Sequence, residues 1–142
     1  MTDEYLTRFL GIDFGLKRIG IAVSDPLHTF AYSLTTLQND STILKKLSDI
    51  IQSKNIKKIV LGVPSEEKTS ATSIVNKVKK FKEQLIKEFH LDVIEWDETY
   101  TSVMAKDRII ESVNKKKKRK NKELIDMNSA SIILQEYLDS LK

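Results

Sequence analysis

GIDFGLKRIGIAVSD, residues 11–25, decides how this chain is read. Its second half alternates bulky Ile19, Ile21 and Val23 with small Gly20, Ala22 and Ser24. That is a strand covered on both faces, with something packed close on the small one. The segment before it, RFLGIDF (8–14), reads as another strand, and a short Gly-containing turn between the two makes a hairpin. An acid, Asp13, stands near the end of the first strand, ahead of Gly15 and the basic pair Lys17 and Arg18.

Working outward, residues 30–37 (FAYSLTTL) form a third strand after Pro26. Ile43, Leu44, Leu47, Ile50 and Ile51 then recur at helical spacing, with Asp40 or Ser41 as the expected N-cap. KIVLGVP (58–64) is a short strand apolar on both faces, stopped by Gly62 and Pro64. A second helix follows from about Ser70, with the stripe Ala71, Ile74, Val75, Val78, Phe81, Leu85 and Phe89. LDVIEW (91–96) is the last strand, a third helix is expected from Thr101 to Val113, and a fourth over about 123–141. Three consecutive strands followed by alternation predict an α/β domain, residues 1–142. Its mixed five-stranded sheet is an antiparallel three-strand meander followed by parallel strands, with helices on both faces.

Composition bounds the function. The chain of 142 residues is 40% apolar and 31% charged, the profile of a soluble globular domain, and it has no cysteine. Thiolate zinc sites, disulfides and a cysteine nucleophile are excluded, and a reducing cytoplasm is the expected compartment. The acids among the opening residues make a poor signal peptide, and no apolar run is long enough to span a membrane. The net charge of +4 is local: KKKKRKNK (115–122) holds seven basic residues, and without them the remainder carries −3. Such a run is too self-repelling to pack and predicts a flexible basic loop over about 114–122. A loop of this kind suits phosphate backbones, although polybasic runs also serve membranes and targeting.

Three acidic positions stand out. Asp13 lies near the end of the first strand, and Asp97 and Glu98 directly follow the fifth, where α/β sheets gather ligands. Asp126 falls on the apolar stripe of the last helix with Ala130, Ile133, Leu134, Tyr137 and Leu141. Each acid alone has an ordinary reading: a turn residue for Asp13, a helix N-terminal acid for the others. Together they form the kind of set that holds divalent cations in nucleases. His28 and His90 read as loop and surface residues, Trp96 as core packing, and Thr101 or Ser102 as a helix cap.

GIDFGLKRIGIAVSDPLHT, VLGVP, DETYTS, the basic tract and ELIDMNSASIILQEYL stand in the order and spacing of the YqgF/RuvX family, which the chain resembles over nearly its whole length. Members are described as Holliday junction resolvases and as pre-16S ribosomal RNA nucleases. The resemblance implies an RNase H-like fold, two Mg²⁺ or Mn²⁺ ions, and Asp13, Glu98 and Asp126 as catalytic, metal-holding acids, with Asp97 as a possible additional one. It also implies nucleic-acid contact by the family's basic linker, here Lys115, Lys116, Lys117, Lys118, Arg119, Lys120 and Lys122. Lys17 and Arg18 are candidates to position the backbone beside them. Two departures are visible: Thr99 stands where the family usually has Arg, leaving phosphate contact to Arg108 or Lys17, and SEEKTS (65–70) carries two acids and no glycine.

The expected function is a metal-dependent nuclease acting on structured nucleic acid, RNA in preference to DNA, most simply at the 5′ end of pre-16S rRNA. Its expected state is a monomer or weak homodimer off the membrane. A Holliday junction resolvase acting on branched DNA is the alternative, and a non-catalytic RNA-binding assembly factor the second. The phosphate-binding hairpin of the actin and Hsp70 ATPases has a similar opening, but this chain has no second phosphate loop.

Overall fold

In the computed structural model, residues 6–63, 72–97 and 118–142 are described, with helix backbone alone at 72, 73 and 118–128. The alternation of residues 19–24 does what its pattern requires. β1 (Arg8–Asp13) and β2 (Arg18–Ser24) pair antiparallel, from Leu10 opposite Val23 to Asp13 opposite Gly20. β3 (Ala31–Gln38) adds antiparallel to β2, with a bulge between Ile21 and Ala22. β4 (Ile56–Val63) and β5 (Asp92–Asp97) then add in parallel beyond β1, giving the order β3-β2-β1-β4-β5. Parallel neighbours need long crossovers, and α1 (Ile43–Ser53) and α2 (Thr72–Phe89) lie in them.

The period of two along β1 divides the core. Leu10, Ile12 and Phe14 meet Ile21, Leu61, Leu47 of α1, and Phe81 and Leu85 of α2. Phe9, on the other face, meets Ala22, Val60 and the stripe Ala130, Ile133, Leu134, Tyr137 and Leu138 of α3 (Lys118–Ser140). Helices therefore cover both faces. Ten of these side chains larger than alanine, including Leu10, Ile12, Leu61 and Leu134, are fully enclosed, each contributing on the order of 1.5–3 kcal/mol. The small face of the hairpin is where α3 comes closest. A Cβ on Gly11 would stand 2.8 Å from Leu134 Cβ and 2.9 Å from the Ala130 carbonyl oxygen.

Some boundaries differ from expectation. α3 begins at Lys118, so Lys118, Arg119, Lys120 and Lys122 belong to a helix backbone and not to a loop. Lys, Arg, Glu and Leu are good helix formers, and from Lys115 onward no glycine or proline interrupts them. The N-cap position of α1 is Thr42, one residue beyond the expected pair, and its side chain makes no cap bond. Asp40 works one step earlier, accepting from Thr42 N at 2.9 Å and Thr42 Oγ1 at 2.6 Å. The expected third helix, residues 101–113, the SEEKTS segment and Lys115–Lys117 lie outside the described residues. No described helix is long and apolar enough to cross a membrane.

Candidate active site at the carboxyl end of the sheet

β1 ends on Asp13, half-buried, and strand parity puts it with Phe9 and Gly11 on the α3 face. Its lateral partners are both glycines, Gly20 on β2 and Gly62 on β4. One strand further out on each side the same row ends in Thr36 and Trp96. The carboxylate thus stands between two positions that have no side chain. The whole chain has only four glycines, Gly11, Gly15, Gly20 and Gly62, and all of them lie in this row, one step behind it, or in the turn that follows.

That turn is fixed. A Cβ on Gly15 would run into the Arg18 carbonyl oxygen, so only glycine fits. Asn39, just past β3, holds the turn from below: its backbone N donates to Lys17 O at 2.9 Å and its Nδ2 to Gly15 O at 2.8 Å. Lys17 is exposed at the tip and Arg18 half-buried at the start of β2.

α3 runs antiparallel to β1 across this face. The Phe9 ring lies 6.0 Å from that of Tyr137, while Gly11 faces Leu134 and Ala130. Two residues along β1, roughly 7 Å, match four residues back along the helix, about 6 Å. The same progression brings position 126, one turn before Ala130, level with Asp13. Asp126 lies eight residues inside the helix, not at its opening as its sequence suggested. Helix-dipole stabilisation is gone by that depth, so the ordinary reading of Asp126 as a first-turn acid fails. Three residues after it, Ser129 is buried to 1% exposure and its Oγ has no hydrogen-bond partner among the described residues.

Asp97 closes β5, opposite Val63. Its parity is that of Val93, in the α1/α2 core, and of Glu95, which accepts an ion pair from Lys82 of α2 at 2.7 Å. Ile94 and Trp96 face α3, and Trp96 Nε1 donates to Glu136 Oε1 at 3.0 Å. Asp97 therefore sits on the opposite side of the sheet from Asp13. Glu98, Thr99 and Arg108 lie outside the described residues, and among those described no three acids, histidines or cysteines gather as a metal cluster.

The profile of the family described as "RuvX: Holliday junction resolvase" matches residues 7–140. The chain belongs to that family. A relative from Amoebophilus asiaticus named "Putative pre-16S rRNA nuclease" is 40% identical over 136 residues, 95% of this chain and 96% of its own. A relative of the same name from Sulfurihydrogenibium is 39% identical, covering 96% and 92%. Among solved structures, the Fowlpox virus resolvase bound to Holliday junction DNA superposes with a TM-score of 0.57 at 16% identity, covering 94% of this chain and 98% of that one. T. thermophilus RuvC with a Holliday junction gives 0.53 at 11%, covering 89% and 91%. The fold is RNase H-like, as expected.

Within this RuvX-family chain the donor chemistry suits a hard cation. There is no cysteine. Of the two histidines, His28 is committed at the other end of β1, stacked on Phe9 at 4.1 Å with Nε2 2.8 Å from Thr7 O, and His90 follows α2 with a φ of 54°. A carboxylate flanked by glycines, position 126 level with it and a buried hydroxyl nearby offer oxygen ligands, which fit Mg²⁺ or Mn²⁺. Gly20 and Gly62 are the residues the sequence reading passed over. Their signal was available: glycine inside a strand marks close approach, and two of only four lie there.

Proposed function

We propose that this chain is a divalent-metal-dependent nuclease that hydrolyses phosphodiester bonds in structured RNA, working in the cytoplasm at the 5′ end of pre-16S rRNA. The observation that carries it is Asp13, at the carboxyl end of the central strand, between Gly20 and Gly62. Family membership and the names of the relatives support the same reading.

Asp13, Glu98 and Asp126 are the acids that would hold the ions. Asp97 faces the other side of the sheet, which favours its neighbour Glu98 for the role. Two Mg²⁺ or Mn²⁺ ions, when bound, supply Lewis-acid activation of water and charge stabilisation for the leaving oxygen. The chain's own contribution is positional. Gly20 and Gly62 keep side chains off both flanks of the Asp13 carboxylate. The turn locked by Gly15 and Asn39 presents Lys17 and Arg18 beside it. Lys115 to Lys118, Arg119, Lys120 and Lys122 supply sequence-independent backbone affinity.

The test compares wild type with D13N on a pre-16S 5′-leader RNA and on a four-way DNA junction, with Mn²⁺, Mg²⁺ or EDTA. Cleavage of the RNA by wild type alone, and only with metal, is the expected result. Cleavage of the junction in place of the RNA would favour a resolvase, the reading that the family description suggests. Equal activity in D13N would sink the mechanism, and metal-independent binding with no cleavage would leave an RNA-binding assembly factor.

A further inference from the structure

On the face of the sheet away from Asp13, α1 and α2 diverge and leave a cleft of about 310 Å³. Its floor is apolar: Ile43 and Leu44 of α1 stand beside the edges of Phe14 and Phe81, two buried rings packed on each other at 5.1 Å. Lys77, Lys80 and Gln84 form one wall, at the i, i+3, i+7 spacing that aligns them along α2. Asn39, the residue that straps the catalytic turn, belongs to the other.

The charges in this cleft are not spent internally. The ion pairs among the described residues join Lys82 to Glu95 and Lys142 to Asp139, leaving Lys77 and Lys80 without one. Asp40 is the acid of the lining, and its carboxylate is folded back onto Thr42 N and Oγ1. Two ammonium groups against one carboxylate leave a net positive rim above an apolar floor edged with amides. That combination matches one nucleotide: an apolar surface for the base, amides for its edge, and cations for its phosphate.

We infer that this cleft takes a single-stranded nucleotide flanking the cleaved bond, its base against the apolar floor and its phosphate between Lys77 and Lys80. The inference rests on the nuclease reading only for where the strand comes from. A strand leaving Asp13 crosses the rigid Gly15–Lys17 turn and comes down on the α1/α2 side, so Asn39 links the two positions mechanically.

The test measures oligouridylate affinity in EDTA across a salt series for wild type, K77A/K80A and the control K57A/K87A. The control removes two exposed lysines outside the cleft lining. K77A/K80A is expected to weaken binding about tenfold and flatten the slope of log affinity against log salt by about one, the loss of one or two phosphate contacts. The control should stay within about twofold of wild type, since non-contacting lysines feel mainly screened charge. In labelled wild-type protein the side-chain amide signals of Asn39 and Gln84 should move on adding the oligonucleotide. Equal losses in both lysine pairs, or unmoved amides, would overturn the cleft while leaving the nuclease intact. Cleft binding by a wild-type protein that cleaves nothing would overturn the nuclease and leave the cleft.

Discussion

The two ends of β1 are built on opposite principles. At its start, Phe9 is surrounded by large groups in contact as well as small ones. His28 stacks on one side at 4.1 Å and Tyr137 is tilted against it at 6.0 Å. Lys58 Nζ lies 5.2 Å over its ring while donating to Tyr137 Oη at 3.0 Å. At its end, Asp13 has a glycine on each side. Four residues separate the two arrangements on one face of one strand. Where the strand holds α3, the row carries aromatic rings; where chemistry is proposed, two buried glycines flank the carboxylate. Glycine inside a strand marks the close approach of another group.

The largest effect expected from breaking this contrast is at Asp13. D13N should lower cleavage by roughly a thousandfold, since metal-assisted charge stabilisation is worth several kcal/mol. Its melting temperature should stay near or above that of wild type, because the substitution removes charge without changing volume. Melting curves beside single-turnover rates check both halves. A D13N protein that loses stability and activity in parallel would make Asp13 a packing residue like Phe9.

The glycines sharpen the comparison further. Gly11→Val puts carbon where Leu134 and the Ala130 carbonyl already stand, and overpacking of that kind costs about 1–3 kcal/mol. Its effect should appear in denaturant midpoints, with activity following only as far as folding does. Gly62→Val, two residues further along the neighbouring strand, should do the reverse: a modest change in stability and a loss of cleavage of about a hundredfold, the scale of a misplaced reactive geometry. Were both variants to lose stability equally and keep their specific activity, the row through Asp13 would be ordinary core.

Most of the fold was legible because the periods of two and 3.6 are strong here. The hairpin, the meander, the two parallel strands and both α1 and α2 follow from where Ile, Val and Leu recur. The start of α3 was not legible, because a run of lysines reads as self-repelling while each lysine is a good helix former. In the site, Asp13 was readable from its strand and Asp97 from its place after one. What composition could not show was parity: Asp97 belongs with Glu95 and Val93, away from Asp13, which depends on the parallel register of β5 against β4. The glycine row depends on register as well. Gly20 and Gly62 are 42 positions apart in the chain and meet across Asp13 only once β1 is central.

Smaller effects belong to the packed end. Tyr137→Phe removes the acceptor of the Lys58 bond while leaving its ring against Phe9 and Trp96. About 0.5–1.5 kcal/mol of stability is expected to go with it, and none of the activity. A loss of cleavage at constant stability would mean that this cluster reaches the site and that the two ends of β1 are not independent.

The smallest expected effect sets one carboxylate against another. Asp25, in the loop beside His28, is pushed up by burial, but hydrogen bonds from the Phe30 and Thr29 backbone N–H groups, at 2.8 and 2.7 Å, outweigh it and hold its carboxyl below the ordinary 3.8. A carboxyl lowered by folding binds fewer protons in the native state than in the unfolded one. Stability therefore rises with pH through that interval. Its contribution is fully present above about pH 3.8 and is lost as the pH falls through the lowered native value. Comparing D25N with wild type by chemical denaturation should show a constant gap at neutral pH that closes only in acid. A gap independent of pH would mean that the loop holds the side chain and not its charge. The charge of Asp25 is answered by backbone N–H groups of its own loop. The role proposed for Asp13, with glycine on both flanks, is to hold an ion.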